Sequence, residues 1–264
     1  MYEFSYQSPA SVDAAAAALA KDPEAKALAG GMTLIPVLKQ RLNRPSVVVD
    51  LAKVGLTGIT VSGNAVTIGA MTTHATVAKS ADVRGKIPGL AYLASLIGDE
   101  QVRHRGTMGG SLANNDPAAC YPAAALALNA TIKTNKREIK ADEFFQGMFT
   151  TALEQGELIT SVTFPVPEKS AYEKFRNPAS RYPIVGVFVA KFPSGVRLAI
   201  TGAGQNGVFR HQEMEKALSA NFSPDAIAGI STPASGLNSD IHASSEYRAH
   251  LCGVIARRAV AKAA

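Results

Sequence analysis

Two glycine pairs hold the residues of this chain best suited to chemistry. One lies in Leu28-Ala29-Gly30-Gly31-Met32-Thr33-Leu34. The other lies in Ile97 to Pro122, IGDEQVRHRGTMGGSLANNDPAACYP, at Thr107-Met108-Gly109-Gly110-Ser111. Adjacent glycines let a backbone approach a ligand closely or adopt positive φ. The hydroxyls of Thr107 and Ser111 flank the second pair, the amides of Asn114 and Asn115 follow it, and Arg103 and Arg105 precede it. This is the chemistry of an anion cradle, with backbone N–H groups aimed at phosphate and few side chains in the way. A single glycine pair is equally a surface turn; two in one domain suit a diphosphate gripped from opposite sides. Arg103 and Arg105 either meet phosphate or hold the long loop by pairing with Asp99, Glu100 or Asp116.

The flanking elements must position these turns. Lys26 to Ala29 reads as a short strand, and Thr33 to Leu42 as a helix with Leu34, Leu38 and Leu42 on one face and Thr33 as N-cap. A helix N-terminus favours an anion by roughly 0.3–1 kcal/mol. Upstream, residues 1–10 are extended, with Tyr2, Phe4 and Tyr6 alternating, and Ser11 caps a helix from Val12 to Lys21. Val47 to Val49 forms a buried strand. Ile59–Val61 and Ala65–Ile68 make a hairpin, and a helix begins near His74. Pro88 opens a helix through Ile97, burying Leu90, Leu93, Ala94 and Ile97. After the second glycine pair come a helix over Tyr121–Leu128, a hairpin over Ala130–Ile139 and a strand over Leu158–Phe164. The character changes near Glu168-Lys169-Ser170, where a domain boundary is expected. Beyond it, Ile184–Phe192 and Gly195–Thr201 form an antiparallel hairpin. Helices follow at Glu213–Leu218, from Ser223-Pro224-Asp225 through Ile230, and at Tyr247–Lys262. Strands and helices do not alternate strictly, so the class is α+β.

Composition narrows the function. The 264 residues are 47% hydrophobic and 18% charged, as in a globular protein with a sizeable core. No apolar run approaches the ~20 residues of a membrane span, and the N-terminus has neither a basic region nor an apolar signal core. The net charge of +6 is scattered and aromatics are only 6%, which argues against nucleic acid and suits an anionic cofactor or acidic partners. Cys120 and Cys252, the two cysteines, cannot form a four-thiolate cluster or a disulfide framework. Both are expected reduced, in a cytoplasmic protein.

Gly202-Ala203-Gly204-Gln205-Asn206-Gly207 spells the dinucleotide fingerprint G-x-G-x-x-G, with Asp225 near the distance of a ribose-binding acid. That fingerprint requires a parallel strand–helix–strand unit. Here the preceding strand belongs to a hairpin, Val208-Phe209 suits an extended segment, and Asp225 begins a helix. A plain loop fits better. His74 could touch a cofactor but reads more simply as a cap or surface residue; His104, His211, His242 and His250 show no metal-ligand spacing. By sequence alone Lys174 is an ordinary surface residue and Tyr182 an ordinary core one.

AGGMTLIPVLKQRL, IGAMTTHATVAKS, IGDEQVRHRGTMGGSLANNDPAACYPAA, GELITSVTFPVP, YEKFRNPASRYPIVGV and SDIHASSEYRAHLCGVIARRAV occur in that order. Together they resemble the FAD-binding medium subunit of the molybdenum hydroxylases, the group containing aerobic carbon monoxide dehydrogenase and xanthine dehydrogenase. The resemblance covers nearly the whole chain. It implies a two-lobed FAD-binding domain of the vanillyl-alcohol-oxidase (PCMH) type over 1–168, with lobes of about 1–57 and 58–168, and a smaller C-terminal α+β domain over 169–264. It implies non-covalent FAD, its diphosphate held by Leu28, Ala29, Gly30, Gly31, Met32, Thr33 and Leu34 from one lobe. Gly106, Thr107, Gly109, Gly110 and Ser111 would hold it from the other. Ala70 and Thr73 would sit near the bound cofactor, and Ile97, Gly98 and Asn114 near the ring. Ile159 and Lys174 would contact the adenine side or the flavin edge, and Tyr182 would stack on the isoalloxazine. Cys120 stands where the family has an acid that binds the cofactor's sugar portion. A thiol is a weak donor and cannot accept a charge-assisted bond, so the cofactor's affinity or pose should differ there.

The activity so implied is electron transfer. A large subunit would carry a molybdenum–pterin centre and oxidise the substrate, and a small subunit would carry two [2Fe-2S] clusters. This chain would take their electrons onto FAD and pass them to an external acceptor, in a dimer of heterotrimers. No catalytic residue and no metal ligand would be needed on this chain. The alternatives are a stand-alone flavin oxidoreductase, a nicotinamide-dinucleotide protein using Gly202–Gly207, and a non-enzymatic module whose glycine pairs are only turns.

Overall fold

The computed structural model describes residues 1–263. Its first lobe comprises β1 (Ser5–Gln7), α1 (Val12–Ala20), β2 (Lys26–Leu28), α2 (Leu34–Lys39) and β3 (Val47–Asp50). The strands form a parallel sheet in the order β1-β3-β2. Ser11 caps α1 through its side-chain oxygen, which accepts from the Ala14 N–H. Ala15 and Leu19 on the inner face of α1 pack with Val49, Leu51 and Val54 into a small core.

The second lobe begins with the hairpin β4 (Ile59–Ser62) and β5 (Ala65–Gly69). Six helices follow: α3 (His74–Lys79), α4 (Ala81–Lys86), α5 (Pro88–Ser95), α6 (Glu100–Arg105), α7 (Met108–Asn114) and α8 (Tyr121–Ala127). Then come β6 (Thr131–Thr134), β7 (Glu138–Lys140), α9 (Ala141–Phe144), β8 (Phe145–Gly147), β9 (Thr150–Thr151) and β10 (Ile159–Pro165). The five-stranded sheet has the order β4-β5-β10-β6-β7 and is antiparallel throughout. One correction concerns Ile97–Pro122, which is largely helical rather than one long loop. Its two short helices are each started by a side-chain cap: Asp99 Oδ1 accepts from Val102 N–H, and Thr107 Oγ1 from Gly110 N–H. The helix from Pro88 stops at Ser95, short of Ile97, because the chain turns sharply through Gly98 at φ +50°. Helix α4 has only six residues and Ser80 as its cap, too short for a periodic signal in the sequence.

The third unit is a sheet of β11 (Lys169–Arg176), β12 (Pro183–Phe192), β13 (Gly195–Thr201) and β14 (Phe209–Arg210), antiparallel in that order. It is followed by α10 (Gln212–Ala220), one 3₁₀ turn (Pro224–Ile227) and α11 (Ser245–Ala263). The helix expected from Ser223 through Ile230 is only that 3₁₀ turn. Strand β12 is buried on both faces, which explains its unbroken apolar run. Val185, Val187 and Val189 pack with Leu251 and Ile255 of α11. Phe188 and Ala190 face α8, joining the core of the second lobe.

The G-x-G-x-x-G motif falls in this sheet without its required context. Both ladders of β13 are antiparallel, Gly204 bridges Leu237, and Asp225 sits in the 3₁₀ turn. Gly202 is a glycine for packing reasons: φ is +83°, and a Cβ there would lie 2.5 Å from the Pro183 carbonyl oxygen.

Candidate functional site

The two glycine turns meet in space. A Cβ on Gly30 would lie 2.1 Å from the carbonyl oxygen of Arg105, and one on Gly109 would lie 2.6 Å from the Ala70 Cβ. One on Gly110 would come within 3.3 Å of the Ala29 Cβ. The glycines therefore let the lobes interlock, and the contact is braced from behind. His74 donates its backbone N–H to Gly106 O at 2.9 Å, and Thr73 forms an antiparallel bridge with Thr107.

A cavity of about 730 Å³ opens at this junction, lined by all three units of the fold. That volume is typical of a cofactor site. The N–H groups of Gly30, Gly31, Met32 and Thr33 have no acceptor among the described residues, and neither Ser111 Oγ nor the Asn114 amide has a protein partner there. These unpaired donors suit phosphate oxygens. The second turn differs from expectation. Met108 and Gly109 already donate to Thr72 O and Ala70 O, and Gly110 to Thr107 Oγ1, so its free polar groups are side chains. Thr33 precedes α2 in helical backbone geometry and its side chain caps nothing, leaving the hydroxyl free as well.

The far end of the cavity is built around the turn Leu96-Ile97-Gly98. Lys174 Nζ, half-buried on β11, donates to Leu96 O at 2.9 Å and to Arg181 O at 2.7 Å, and lies 3.7 Å from Cys120 Sγ. Arg103 Nη1 donates to Ile97 O and Gly98 O, at 3.1 and 3.0 Å, and Arg181 Nη1 reaches Gly98 O at 3.3 Å. Arg103 thus braces the turn through carbonyls rather than by pairing with Asp99, Glu100 or Asp116, and Arg105 is exposed with no carboxylate partner among the described residues. Tyr182 is carried on a tight loop closed by Asn177, whose N–H donates to Tyr182 O and whose Oδ1 accepts from Ala179 and Ser180. It is 46% exposed, not a core residue, and is the one tyrosine in the cavity wall. Lys174, conversely, is not a free surface lysine.

Electrostatics distinguish the buried groups. Burial, reinforced by Arg103, lowers the His74 pKa to about 4, so the ring is neutral at pH 7. It is 4% exposed, packs on the Tyr121 ring at 5.2 Å and has no partner for Nδ1. His74 is therefore neither a cap nor a surface residue. Burial pushes the Glu157 carboxyl up, but hydrogen bonds from Arg137, the Glu154 N–H and Thr134 overcome this and hold it at about 2. Asp116 is raised by burial, against a hydrogen bond from the Ala118 N–H. Among the described residues no group of three or more His, Cys, Asp or Glu could hold a metal.

Every residue expected at the site lines this cavity except Leu28 and Thr73. Lys26, Ala27 and Ala29 line the cavity, while Leu28 packs its Cδ1 3.2 Å from the Cβ position of Gly31, beneath the turn. The Thr73 hydroxyl is occupied as the cap of α3, accepting from Thr76 N–H. His74, weighed in the sequence as a possible cofactor contact, also lines the cavity, and Asp116, Gln155, Gly156, Glu157 and Arg181 line it without having been expected at the site. Gly156, at φ +71° with a Cβ position 2.7 Å from Ala20 Cβ, was detectable only as a glycine in a turn.

The chain matches the family described as FAD binding domain in molybdopterin dehydrogenase over residues 2–167. It is 38% identical to the nicotine 6-hydroxylase medium subunit of Paenarthrobacter nicotinovorans, covering 98% of this chain and 96% of that one. It is 35% identical to the carbon monoxide dehydrogenase medium chain of Afipia carboxidovorans, with the same coverage. Among solved structures it superposes on reconstituted CO dehydrogenase from Oligotropha carboxidovorans with a TM-score of 0.90 at 33% identity, covering 99% of this chain and 98% of the other. Quinoline 2-oxidoreductase from Pseudomonas putida 86 gives 0.89 at 30% identity, covering 99% and 97%. By this family match and these relatives, the chain belongs to the family of FAD-binding domains of molybdopterin dehydrogenases.

Proposed function

We propose that this chain is the FAD-carrying electron-transfer subunit of a heteromeric molybdenum hydroxylase. It takes electrons from iron–sulfur clusters on a small partner subunit and passes them to an external acceptor, while a large molybdenum–pterin subunit oxidises the substrate. The observation that carries this reading is the cavity where three units meet, with four unpaired backbone N–H groups at Gly30–Thr33 facing Ser111 and Asn114. Relatives named as nicotine, carbon monoxide and glyceraldehyde enzymes are medium subunits or chains of like length, which supports a role for this chain independent of substrate.

FAD, when bound, supplies the two-electron redox chemistry, and the protein binds and tunes it. Gly30, Gly31, Met32 and Thr33 would hold the diphosphate through backbone N–H groups, with Ser111 and Asn114 opposite. Tyr182 offers the ring a stacking surface, and Ile97, Gly98, Cys120 and Lys174 form the wall beside it. Ala70 underlies the second turn, Ile159 lines the cavity, and His74 stands neutral behind the interlock. The FAD-binding unit would end near residue 168, with lobes divided near 57. The complex would be a cytoplasmic dimer of heterotrimers.

The test is purification of the tagged chain from its native host, followed by metal and flavin analysis of what accompanies it. Two further subunits with molybdenum, iron and FAD would support the reading. A flavin-bearing chain that turns over substrate alone would overturn it in favour of a stand-alone oxidoreductase.

A further inference from the structure

Three cations converge on one turn of the cavity wall. Lys174, Arg103 and Arg181 donate to the consecutive carbonyls of Leu96, Ile97 and Gly98. None of the three forms an ion pair with a carboxylate among the described residues. Asp99, the nearest acid in sequence, uses its carboxylate to cap α6. Glu173, beside Lys174 on β11, pairs with Lys262 instead. Two Lys174 protons go to carbonyls, and the next polar atom is Cys120 Sγ at 3.7 Å, a buried residue of the cavity wall. Carbonyl dipoles orient these cations but do not cancel their charge.

We propose that Cys120 sets the redox poise of the site: by placing a thiol where a carboxylate would pair with Lys174, it leaves the cationic turn uncompensated, so that the turn stabilises reduced flavin over oxidised. The inference rests on the proposed binding of FAD in this cavity. Reduction adds two electrons and one proton to a neutral ring, leaving one negative charge at neutral pH. A fixed positive charge in the cavity wall therefore favours the reduced form, since charge near the ring is one of the levers a protein has on flavin electronics. The half-buried position of Lys174 keeps the effect from being fully screened by salt.

The geometry also says why position 120 is the control point. Cys120 immediately precedes α8, with its side chain buried and one side of it on the cavity. Tyr172 stands behind it with a buried, unpartnered hydroxyl. An aspartate in place of Cys120 would have two strong donors within reach, the Lys174 ammonium and the Tyr172 hydroxyl. It would neutralise the lysine without moving the backbone. A serine there keeps the site neutral.

The experiment is an equilibrium reductive titration of the flavin-loaded protein, in the complex in which it is purified, against a reference dye. Cys120→Asp, Cys120→Ser and Lys174→Met are compared with the unmodified protein. Cys120→Asp and Lys174→Met should each shift the oxidised-to-reduced ratio at a fixed dye ratio about tenfold toward oxidised flavin, which is about 30 mV for a two-electron couple. Cys120→Ser should change it less than twofold. Cys120→Asp remains decisive if Lys174→Met fails to retain flavin. The proposal is overturned if Cys120→Asp retains one flavin per chain with its ratio within twofold of the unmodified protein, or if Cys120→Ser shifts it as far as Cys120→Asp. An unmodified protein that binds no FAD would instead overturn the cofactor assignment itself.

Discussion

Gly30→Ala should separate the two glycine turns and release the cofactor. The added methyl would sit 2.1 Å from Arg105 O, 2.7 Å from Arg105 C and 2.8 Å from Gly106 Cα, all backbone atoms that no rotamer change can move. The turns must part by about 1 Å, and overpacking of this kind costs roughly 1–3 kcal/mol of stability. The same shift carries the N–H groups of Gly30 and Gly31 away from any anion held by Ser111 and Asn114. Losing one charge-assisted hydrogen bond of about 1.5–3 kcal/mol corresponds to roughly ten- to hundredfold in affinity. Gly55→Ala is the matched control. Its φ is +75° and nothing lies within 4 Å of the added methyl. It should cost about 1–2 kcal/mol of backbone strain and leave affinity alone. FAD affinity by equilibrium ultrafiltration, with thermal unfolding in parallel, reads both effects. A Gly30→Ala protein that holds FAD within twofold of the unmodified chain would refute the interlocked-turn reasoning.

Other outcomes follow from the buried titratable groups and the stacking residue. His74 has a folded pKa near 4 against 6.5 unfolded, so protonation favours the unfolded chain. Stability is complete above pH 6.5 and falls by about 3 kcal/mol toward pH 4. His74→Gln should flatten urea-unfolding stability across that window. Glu157, held at about 2, acts lower down: its contribution is present above about pH 4.5 and lost as pH falls toward 2. Glu157→Gln should cost about 2 kcal/mol at pH 7 and far less at pH 2. Tyr182→Leu should raise the fluorescence of bound FAD by removing a quenching ring, with a loss of about 0.5–1.5 kcal/mol in affinity; unchanged fluorescence would place the ring elsewhere.

The site was legible in the sequence to the extent that backbone chemistry marks it. Glycine pairs beside Thr, Ser and Asn suggest a turn for an anion, and both pairs line the cavity. What the pattern could not show is that the turns touch each other, since Gly30 is a glycine because of Arg105, which is distant in sequence. The division of labour between them was also hidden. Thr107 opens a short helix whose first N–H groups are already bonded, while Thr33, expected as a cap, leaves a free turn. Position-specific side chains were harder still. Tyr182 reads as core because tyrosines usually are, yet a loop closed by Asn177 presents it to the cavity. His74 reads as a cap because it starts a helix, yet Gly106 and Tyr121 enclose it. Fold elements with long apolar runs or faces, such as β12, β13 and α11, were visible; short ones such as α4, α6 and β14 depend on single caps or on neighbouring strands.

The most direct measurement is the visible absorption spectrum of the purified chain, in whatever complex it is obtained, followed by release and identification of the chromophore. Two flavin bands, and FAD released without proteolysis at about one per chain, are the expected result. A colourless protein that takes up no added FAD, alone or in its complex, would contradict the assignment of this cavity.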